Sequence, residues 1–316
     1  MTSWTNQTQP PPHGPLFQAA LGGSGVLYAG GAAVNITPAS TLVTFPAPHG
    51  LSPGQGLALG DEIRFVTAVG SPTTVVLNAP FTSAASADAQ TGPTASYQPG
   101  TALPSVSIYD YWDPSGAVQR TLYGAAVNRT QIKVNGDFHE FVFSGQAADL
   151  IDSSSFNSSQ GGLTQYPAEP AVAPLSYSII PGHLGQVWLG AAPNQFFTVT
   201  GAELTLDNGL NLRATELGSM TPRAVAPGER TVSLKLSLYQ TADAQTQALY
   251  QAARQRSPTS VMLQLGQQPG QLFGIFLSSM VPEVPQYNDK DARLQWSFAD
   301  SRAQGTADDE IYVAFG

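Results

Sequence analysis

Alternating apolar and polar positions are clearest in the C-terminal third of the chain. Residues 232–239 place Val232, Leu234, Leu236 and Leu238 on one face, the pattern of a half-buried antiparallel strand. Similar short runs occupy residues 204–206, 261–265, 272–277, 294–298 and 311–315, and a hairpin signal, Asp-Asn-Gly, stands at 207–209. This part of the chain is predicted to be mainly β and antiparallel.

One segment, residues 241–256, has helical signals. Thr241 is the predicted N-cap, and Pro258 is expected to end the helix because proline cannot continue it. The apolar stripe, which includes Leu249 and Ala253, is narrow. It predicts a single helix that packs on a sheet as a flank.

The first hundred residues divide into three predicted parts. Residues 1–20 are Pro-rich and predict an extended arm, and the arm together with a first strand makes a region 1–34. Short β-like runs between turn signals predict a small β-barrel-like module over residues 35–100. Within it, residues 82–100 are rich in Ala, Ser, Thr and Gly and predict a flexible exit.

The remaining region, residues 101–316, is predicted to form the main domain. Residues 106–112 predict a strand, and residues 131–143 predict a hairpin with a type I′ turn at Asn135-Gly136. Residues 151–195 are Ser-, Gly- and Pro-rich with almost no periodicity. A loop of that length indicates a binding or assembly device.

The composition limits the classes of function. Of the 316 residues 42 % are hydrophobic and 11 % charged, against roughly 25 % charged in typical soluble domains. A surface so poor in charge is either covered by neighbours or built from uncharged polar residues. The formal net charge of −9 argues against a nucleic-acid binder, which normally carries a basic patch.

The sequence shows no signal for secretion or for membrane insertion. The chain has no cysteine, which removes disulfides and thiolate sites. The first residues lack the basic and apolar regions of a signal peptide, and no apolar run reaches about 18 residues. We therefore expect a protein made and kept in a cytoplasm, or released by lysis, with no membrane insertion.

Candidates for nucleophilic catalysis and phosphate binding are poor. Ser24 in Gly22-Gly-Ser-Gly25 lacks the second glycine of a nucleophile elbow and a following helix. The Gly-rich residues 49–60 lack the Lys-Ser/Thr of a phosphate-binding loop, so they are more simply tight turns.

Metal and acid–base candidates have equally simple explanations. Asp137 and His139 share one predicted strand face and could in principle bind a metal ion. The carboxylates of Asp289 and Asp291, and those of residues 308–310, are more simply solvated charge near turns. The sequence therefore predicts no catalytic, cofactor-binding or metal-binding residue, no cofactor and no enzyme activity.

Several weak motifs occur together between residues 197 and 316. They are the segment 201–208, Pro222-Arg223, Gly228-Glu-Arg230 before the alternating strand, the helix, and the acidic-then-apolar strand 308–313; the upstream hairpin ends in Phe143-Ser-Gly145. In this order they resemble the tail tube (major tail) proteins of long-tailed bacteriophages. The similarity leaves out the 35–100 module.

The resemblance implies an antiparallel β-sandwich or half-barrel with one flanking helix. It also implies hexameric rings that stack into a tube, through which DNA is ejected without specific binding. The implied partners are copies of the same chain, a tail terminator and distal-tail or baseplate proteins, within a virion tail assembled in the host cytoplasm. We expect the 35–100 module to project outward and acidic residues to outnumber basic ones on the lumen wall.

Two other functions stay open at this point. A distal-tail or baseplate ring protein would form one closed ring and would not polymerise. A carbohydrate-binding or adhesive β-module would expose planar aromatic side chains, for which Tyr109, Tyr111 and Trp112 are the dense cluster. Because Tyr109 and Tyr111 fall on one strand face and Trp112 on the other, a packed strand is the simpler interpretation.

Overall fold

The computed structural model describes residues 3–4, 6–82, 89–112, 116–134, 136–169, 179–190, 193–218, 221–222, 224–289 and 292–316. Two α-helices lie in these ranges, α1 Gly14–Leu21 and α2 Ala244–Gln255, with a short 3-10 turn at Gln160–Gly162. The strands are β1 Val26–Tyr28, β2 Asn35–Ile36, β3 Leu42–Thr44, β4 Gly56–Leu59, β5 Glu62–Ser71, β6 Thr74–Leu77, β7 Thr91–Gly92, β8 Thr94–Tyr97, β9 Val106–Asp110, β10 Arg120–Val134, β11 Glu140–Gln146, β12 Asp149–Asp152, β13 Gly185–Leu189, β14 Asn194–Phe196, β15 Val199–Asp207, β16 Asn211–Arg213, β17 Ala224–Ala226, β18 Thr231–Tyr239, β19 Thr259–Leu265, β20 Phe273–Val281, β21 Gln286–Asn288, β22 Gln295–Ala303 and β23 Tyr312–Phe315.

The main domain is a half-barrel of two antiparallel layers. The first layer has the strand order β11-β10-β15-β18-β22-β21, and the second has β14-β13-β19-β20-β23-β8-β1. The layers are joined where the end of β20 pairs with the end of β22, at Met280–Ala303 and Val281–Arg302. The predicted mainly β sandwich or half-barrel is therefore confirmed.

The first layer carries the alternation that the sequence predicted. In β18 Val232, Leu234, Leu236 and Leu238 are all buried, and the residues between them face away from the core. Residues of the same face in β15, such as Leu204, join the same hydrophobic cluster. A strand with one buried face needs this period-2 pattern, so the first layer has one apolar and one polar face.

The second layer is buried on both faces. Along β19, Val261 and Leu263 face the sandwich core, whereas Met262 belongs to a second cluster on the outer side. Along β20, Ile275 faces the core and Phe276 the outer side. This explains why residues 261–265 and 272–277 read as nearly continuous apolar runs: a strand covered on both sides has no solvent-facing positions.

A small β-module covers the outer side of the second layer. Its six strands have the order β2-β3-β6-β5-β4-β7 and enclose a separate hydrophobic core that includes Val43, Leu57 and Val75. From β5, Phe65 leaves that core and packs on Phe276 of β20, with ring centroids 5.7 Å apart. The molecule thus has three layers, and the module is an outer one.

A buried ion pair joins the module to the second layer. Arg64 Nη2 lies 2.6 Å from Glu62 Oε1, and the two side chains are 0 % and 1 % exposed. The other N–H groups of Arg64 bond to Pro80 O, Ile63 O, and the side chains of Gln264 and Gln186. All five donors of the guanidinium are used, and two of the acceptors come from the second layer.

The carboxylate of Glu62, like the guanidinium of Arg64, is fixed by several hydrogen bonds. Its carboxylate accepts hydrogen bonds from the backbone and hydroxyl of Thr82 and from Gln186 Nε2. Burial alone raises the pKa of Glu62, but the Arg64 charge and these hydrogen bonds outweigh burial and leave the pKa below its usual value. Glu62 is therefore charged at neutral pH, and so is Arg64 although burial lowers its pKa.

The prediction of an extended arm over residues 1–20 is wrong for residues 14–20, and residues 1, 2 and 5 lie outside the described residues. Residues 14–21 form α1, a second helix that the sequence did not predict, with proline in its first turn. Phe17 of α1 is fully buried. The helix has only eight residues and its N-cap, His13, makes no side-chain capping bond, so the proline in its first turn and Gly22 after its end are the helix signals that remain.

Phe17 is the centre of an aromatic cluster that closes the open side of the half-barrel. Its ring centroid lies 5.2 to 5.5 Å from those of Phe141, Phe143, Phe273 and Phe315. These partners belong to β11 of the first layer and to β20 and β23 of the second. Helix α1 therefore bridges the two layers on the side opposite to the β20–β22 junction.

The flexible exit predicted for residues 82–100 is also wrong where the structure describes it. Strand β8 is buried and lies between β1 and β23. Its small polar side chains bond to Gly56 in the module: Thr94 Oγ1 donates to Gly56 O, and Ser96 Oγ accepts from Gly56 N. Small residues that indicated flexibility instead allow close packing. Residues 83–88 lie outside the described residues.

Two further loop predictions need correction. Part of the predicted loop 151–195 is strand β13, which pairs with β19 and buries Trp188; residues 170–178 and 191–192 lie outside the described part. The hairpin between β10 and β11 is confirmed, but its last pair is Lys133–Glu140. The connection is therefore wider than a two-residue turn, and Asn135 lies outside the described residues.

The hairpin predicted at residues 207–209 does not form between consecutive strands. Strand β15 pairs with β18, and a two-stranded ribbon of β16 and β17 lies between them in sequence. Asn208 is buried and donates to the backbone oxygens of Ala20 and Val127. The turn residues thus fasten α1 to β10 instead of reversing the strand.

Helix α2 is confirmed as the predicted flanking helix, but its N-cap is Asp243 and not Thr241. Asp243 Oδ1 accepts a hydrogen bond of 2.7 Å from Thr246 N, while the Thr241 hydroxyl bonds to the Asp243 side chain. Leu249 and Ala253 reach the sandwich core. Arg256 ends the helix in the left-handed conformation.

Replacing Asp243 with alanine should cost about 1 kcal/mol of unfolding free energy, as loss of a helix cap does. Asp243→Ser, which keeps a capping oxygen, should recover most of that loss. The pKa of Asp243 is lowered by hydrogen bonds from Thr241 and Thr246, so its contribution should be present above the unfolded pKa and lost as pH falls. Urea unfolding of the three proteins at pH 7 measures the difference; equal stability of Asp243→Ala and wild type would contradict the cap.

Candidate functional site

The polar face of the first layer is a continuous polar surface built from neighbouring strands. Each strand contributes every second side chain to it, because the intervening ones fill the core. The rows across the strands read Ser144–Arg129–Asp207–Thr231 and Val142–Gln131–Thr205–Ser233. Hydroxyl and amide groups make up most of these rows.

A third row places charges of alternating sign on four neighbouring strands. Glu140 of β11 lies opposite Lys133 of β10, which lies opposite Glu203 of β15, which lies opposite Lys235 of β18. Lys133 Nζ is 3.6 Å from Glu140 Oε2, and Gln131 Nε2 donates to Glu203 Oε1 at 3.0 Å. Opposite charges across strands stabilise the register modestly.

The charge on this face is balanced over strands β10, β11, β15 and β18 where they pair. Glu140, Glu203 and Asp207 carry the negative charges, and Arg129, Lys133 and Lys235 carry the positive ones. The net charge of −9 is therefore not concentrated here. Any excess of acid on the wall of an assembly has to come from other residues.

Both edges of the first layer are open. Strand β11 pairs with β10 on one side, and strand β21 pairs with β22 on one side; no other described strand pairs with their outer sides. Strands β10, β15, β18 and β22 are each paired on both sides. Open edges offer unpaired N–H and C=O groups to another chain.

Strand β10 extends well beyond the first layer. It has 15 residues, but β15 pairs only with Arg129–Val134. Its N-terminal half is flanked by β9 and β12 and forms a three-stranded extension. Strand β11 pairs with β10 from Ala126 onward, so residues 120–125 project and, at roughly 3.3 Å per residue, span about 20 Å.

The extension has one covered and one exposed face. Thr121 and Ile151 are buried under the following loop, where the Tyr166 hydroxyl lies 3.2 Å from Thr121 Oγ1. On the other face Ile108, Leu122 and Leu150 form a row across the three strands, and all three are exposed. An exposed apolar row on a projecting sheet is a candidate contact surface.

The aromatic cluster predicted near residue 110 lies on this extension. Tyr109 and Tyr111 are adjacent, with ring centroids 6.2 Å apart, so their common face is confirmed. Trp112 follows the end of β9 and donates its indole N–H to Asp110. The expectation of a packed strand is wrong for this chain by itself, because Tyr109 and Trp112 are exposed.

The metal and catalytic candidates are not brought together. Asp137 and His139 lie in the loop after β10 and not on a strand face; His139 is buried near the Leu184 carbonyl, and burial lowers its pKa to about 4. Ser24 is exposed between α1 and β1. Among the described residues, no three His, Asp or Glu side chains are grouped closely enough to hold a metal ion.

Two of the acidic candidates near the C-terminus, Asp308 and Glu310, form ion pairs with Arg230. Arg230 Nη1 lies 3.2 Å from Asp308 Oδ1 and 2.9 Å from Glu310 Oε1, and its Nη2 donates to Gly100 O. These bonds tie the start of β18 to the segment before β23. Asp289 is exposed, and Asp291 and Arg223 lie outside the described residues.

Comparison with known proteins identifies the family. The family model described as "Phage tail tube protein" matches residues 60–315, which is most of the chain. The chain belongs to the phage tail tube family. No curated protein matches the sequence.

Membership of the tail tube family confirms the resemblance seen in the sequence. It makes the chain a structural component of a phage tail that assembles with other tail proteins, and not an enzyme. The match begins inside the predicted 35–100 module, so it covers more of the chain than the motifs after residue 197. No helix among the described residues is long and apolar enough to cross a membrane.

Proposed function

We propose that this tail tube protein forms hexameric rings that stack into the tail tube, and that the tube is the conduit for DNA ejection. The observation that carries the proposal is the first layer: a polar-faced antiparallel sheet, open at both edges, in a chain of the tail tube family. Rings join neighbouring sheets into one barrel, which removes the open edges. Ring-on-ring contacts between unlike faces then propagate into a filament.

In this assembly the polar face of the first layer lines the lumen. A face that is rich in hydroxyls and balanced in charge offers DNA no basic track, so a duplex passes without specific binding. The excess of acidic residues expected from the sequence remains a prediction for the whole lumen. It does not arise from the four strands whose charges are balanced.

The 35–100 region faces outward in the proposed tube. The module packs on the outer side of the second layer, through Phe65 and Phe276 among others. Since the first layer faces the lumen, the module lies on the opposite side of the sandwich and leaves the channel open. The division into residues 1–34, 35–100 and 101–316 stays a proposal for the units of the chain, although strands β1 and β8 pair within the second layer and not within the module.

The three-stranded extension is proposed to reach the adjacent ring. It projects along the strand direction of the first layer and presents the exposed row of Ile108, Leu122 and Leu150. Burial of this row against a neighbour would remove apolar surface from water at each of the repeated contacts. At its ends we expect the tube to bind a tail terminator and distal-tail or baseplate proteins after assembly in the host cytoplasm.

Electron microscopy of the purified protein over a concentration series, with light scattering on the same samples, tests the proposal. We expect six-fold rings at moderate concentration and stacked tubes at higher concentration. Closed rings that never stack would favour a distal-tail ring protein instead. A strict monomer at the highest concentration would contradict self-assembly.

A further inference from the structure

The two open edges of the first layer, β11 and β21, differ in length but agree in strand direction and in the character of their two faces. Strand β11 has seven residues and β21 has three. Strand β11 contains no proline and a single charged residue, Glu140, beside the apolar run of residues 141–143. Exposed edges usually carry proline, lysine or a bulge that blocks pairing with other chains, and β11 lacks the first two devices.

Strand direction makes the two edges compatible. Each neighbouring pair in the order β11-β10-β15-β18-β22-β21 is antiparallel. Five successive reversals leave β11 and β21 antiparallel to each other. In a cyclic ring whose axis follows the strands, every copy keeps the same orientation. The β11 edge of one copy therefore meets the β21 edge of the next in an antiparallel sense.

The faces of the two edges also match. On the polar side, Val142 lies beside Gln131, and Gln286 lies beside Ser297. On the core side, β11 carries Phe141 and Phe143. The corresponding residue of β21 is Tyr287, which pairs with the buried Trp296 and is nevertheless 58 % exposed. If these edges pair, the polar face and the core face each continue from one copy to the next. The pairing also brings Tyr287 close to Phe141 and Phe143.

We propose that β11 of one copy pairs with β21 of the next copy and that this contact closes the ring. The inference rests on the proposed ring assembly and names the surface and the partner, a second copy of the chain. Pairing by strand addition supplies backbone hydrogen bonds, and the side chains on alternate positions determine the register. Tyr287 would be covered by Phe141 and Phe143 of its neighbour.

Disulfide cross-linking tests the contact cleanly because the chain has no cysteine. Gln286→Cys would be combined in turn with Glu140→Cys, Val142→Cys and Ser144→Cys, all on the polar side. These three variants sample registers two residues apart, the step that keeps each side chain on its face. After mild oxidation of assembled protein, one combination should give a ladder of linked species up to the hexamer on a non-reducing gel.

The control variants and microscopy distinguish a wrong β11–β21 contact from a failure of the protein to form rings. Each single-cysteine variant should give no ladder. Normal tubes in microscopy with no ladder from any of the three combinations would overturn the β11–β21 contact and leave the proposed function intact. A wild-type protein that stays monomeric would overturn both.

A second variant keeps the contact testable if the cysteine variants assemble poorly. Val142 is 39 % exposed at the middle of β11, and Leu42 is 48 % exposed in the module. Val142→Lys should reduce ring formation at least tenfold at a given protein concentration without changing the unfolding midpoint. Leu42→Lys should leave ring formation unchanged. Rings of undiminished yield in Val142→Lys would also overturn the contact.

Discussion

Arg64→Met should lower the unfolding free energy by about 3–5 kcal/mol, as expected when one partner of a buried ion pair is removed. Methionine fills much of the space but leaves the carboxylate of Glu62 buried without its counter-charge. It also removes the donors that bond to Gln264 and Gln186. Chemical denaturation of the dissociated protein at pH 7 measures the loss.

The exposed pair of Arg302 and Asp300 provides a matched control. Both side chains are 54 % exposed and lie 3.1 Å apart. Arg302→Met should therefore cost at most about 1 kcal/mol, the usual contribution of a surface pair. If Arg64→Met costs no more than Arg302→Met, the buried pair does not hold the module in place as described.

The pH dependence of the Arg64→Met loss identifies its cause. In the wild type the pKa of Glu62 is below its usual value, so the pair stabilises the fold above the unfolded pKa of about 4.3 and loses that contribution as pH falls. Without Arg64, burial raises the pKa of Glu62, so the variant loses stability as pH rises. The loss should be smaller at pH 4 than at pH 7, and Glu62→Gln added to Arg64→Met should recover part of it.

Phe17→Ala should lower the unfolding free energy by about 3–5 kcal/mol, the usual cost of deleting a buried aromatic ring. The ring is enclosed by side chains of both layers, so neighbours cannot collapse into the space without separating strands. The neighbouring Gln18→Ala, which changes a half-buried residue of the same helix, should change stability by less than about 0.5 kcal/mol. Urea unfolding of the dissociated proteins compares the two.

The same experiment distinguishes α1 from an extended arm. If residues 1–20 were an arm that waits for another ring, Phe17→Ala would leave the stability of the separate chain unchanged and would act only on assembly. A loss below about 1 kcal/mol would therefore contradict the position of α1 in the half-barrel.

The parts of the fold that were predictable are those whose sequence pattern follows local geometry. Residues 232–239 alternate because one face of β18 is buried, and Leu249 and Ala253 are spaced by one helical turn. The assignment of the chain to the tail tube family also followed from the order of such elements after residue 197. Local periodicity is retained even where the surrounding sequence has changed.

The parts that were missed depend on contacts between residues far apart in the chain. Phe17 belongs to a short helix without a polar cap, and its position is determined by rings from β11, β20 and β23. Thr94 and Ser96 of β8 are small and polar, and only their bonds to Gly56 show that they are buried. Tertiary packing overrode the local preference in both places.

A signal for the buried ion pair was present in the sequence. Glu62 and Arg64 alternate with apolar Ile63 and Phe65 in a region that otherwise has almost no charge. The alternation places both charges on one strand face. It does not reveal that this face meets Gln264 of a strand about two hundred positions later, so the pair could not be recognised as buried.

The position of α1 also bears on the timing of synthesis. Phe17 of α1 is synthesised almost three hundred residues before Phe315 of β23. The contact between Phe17 and Phe315 cannot form until the chain has been synthesised as far as β23. Contacts between such distant positions slow folding. The half-barrel therefore stays open while the residues between α1 and β23 are synthesised, and nascent chains carry an incomplete aromatic cluster until β23 has emerged.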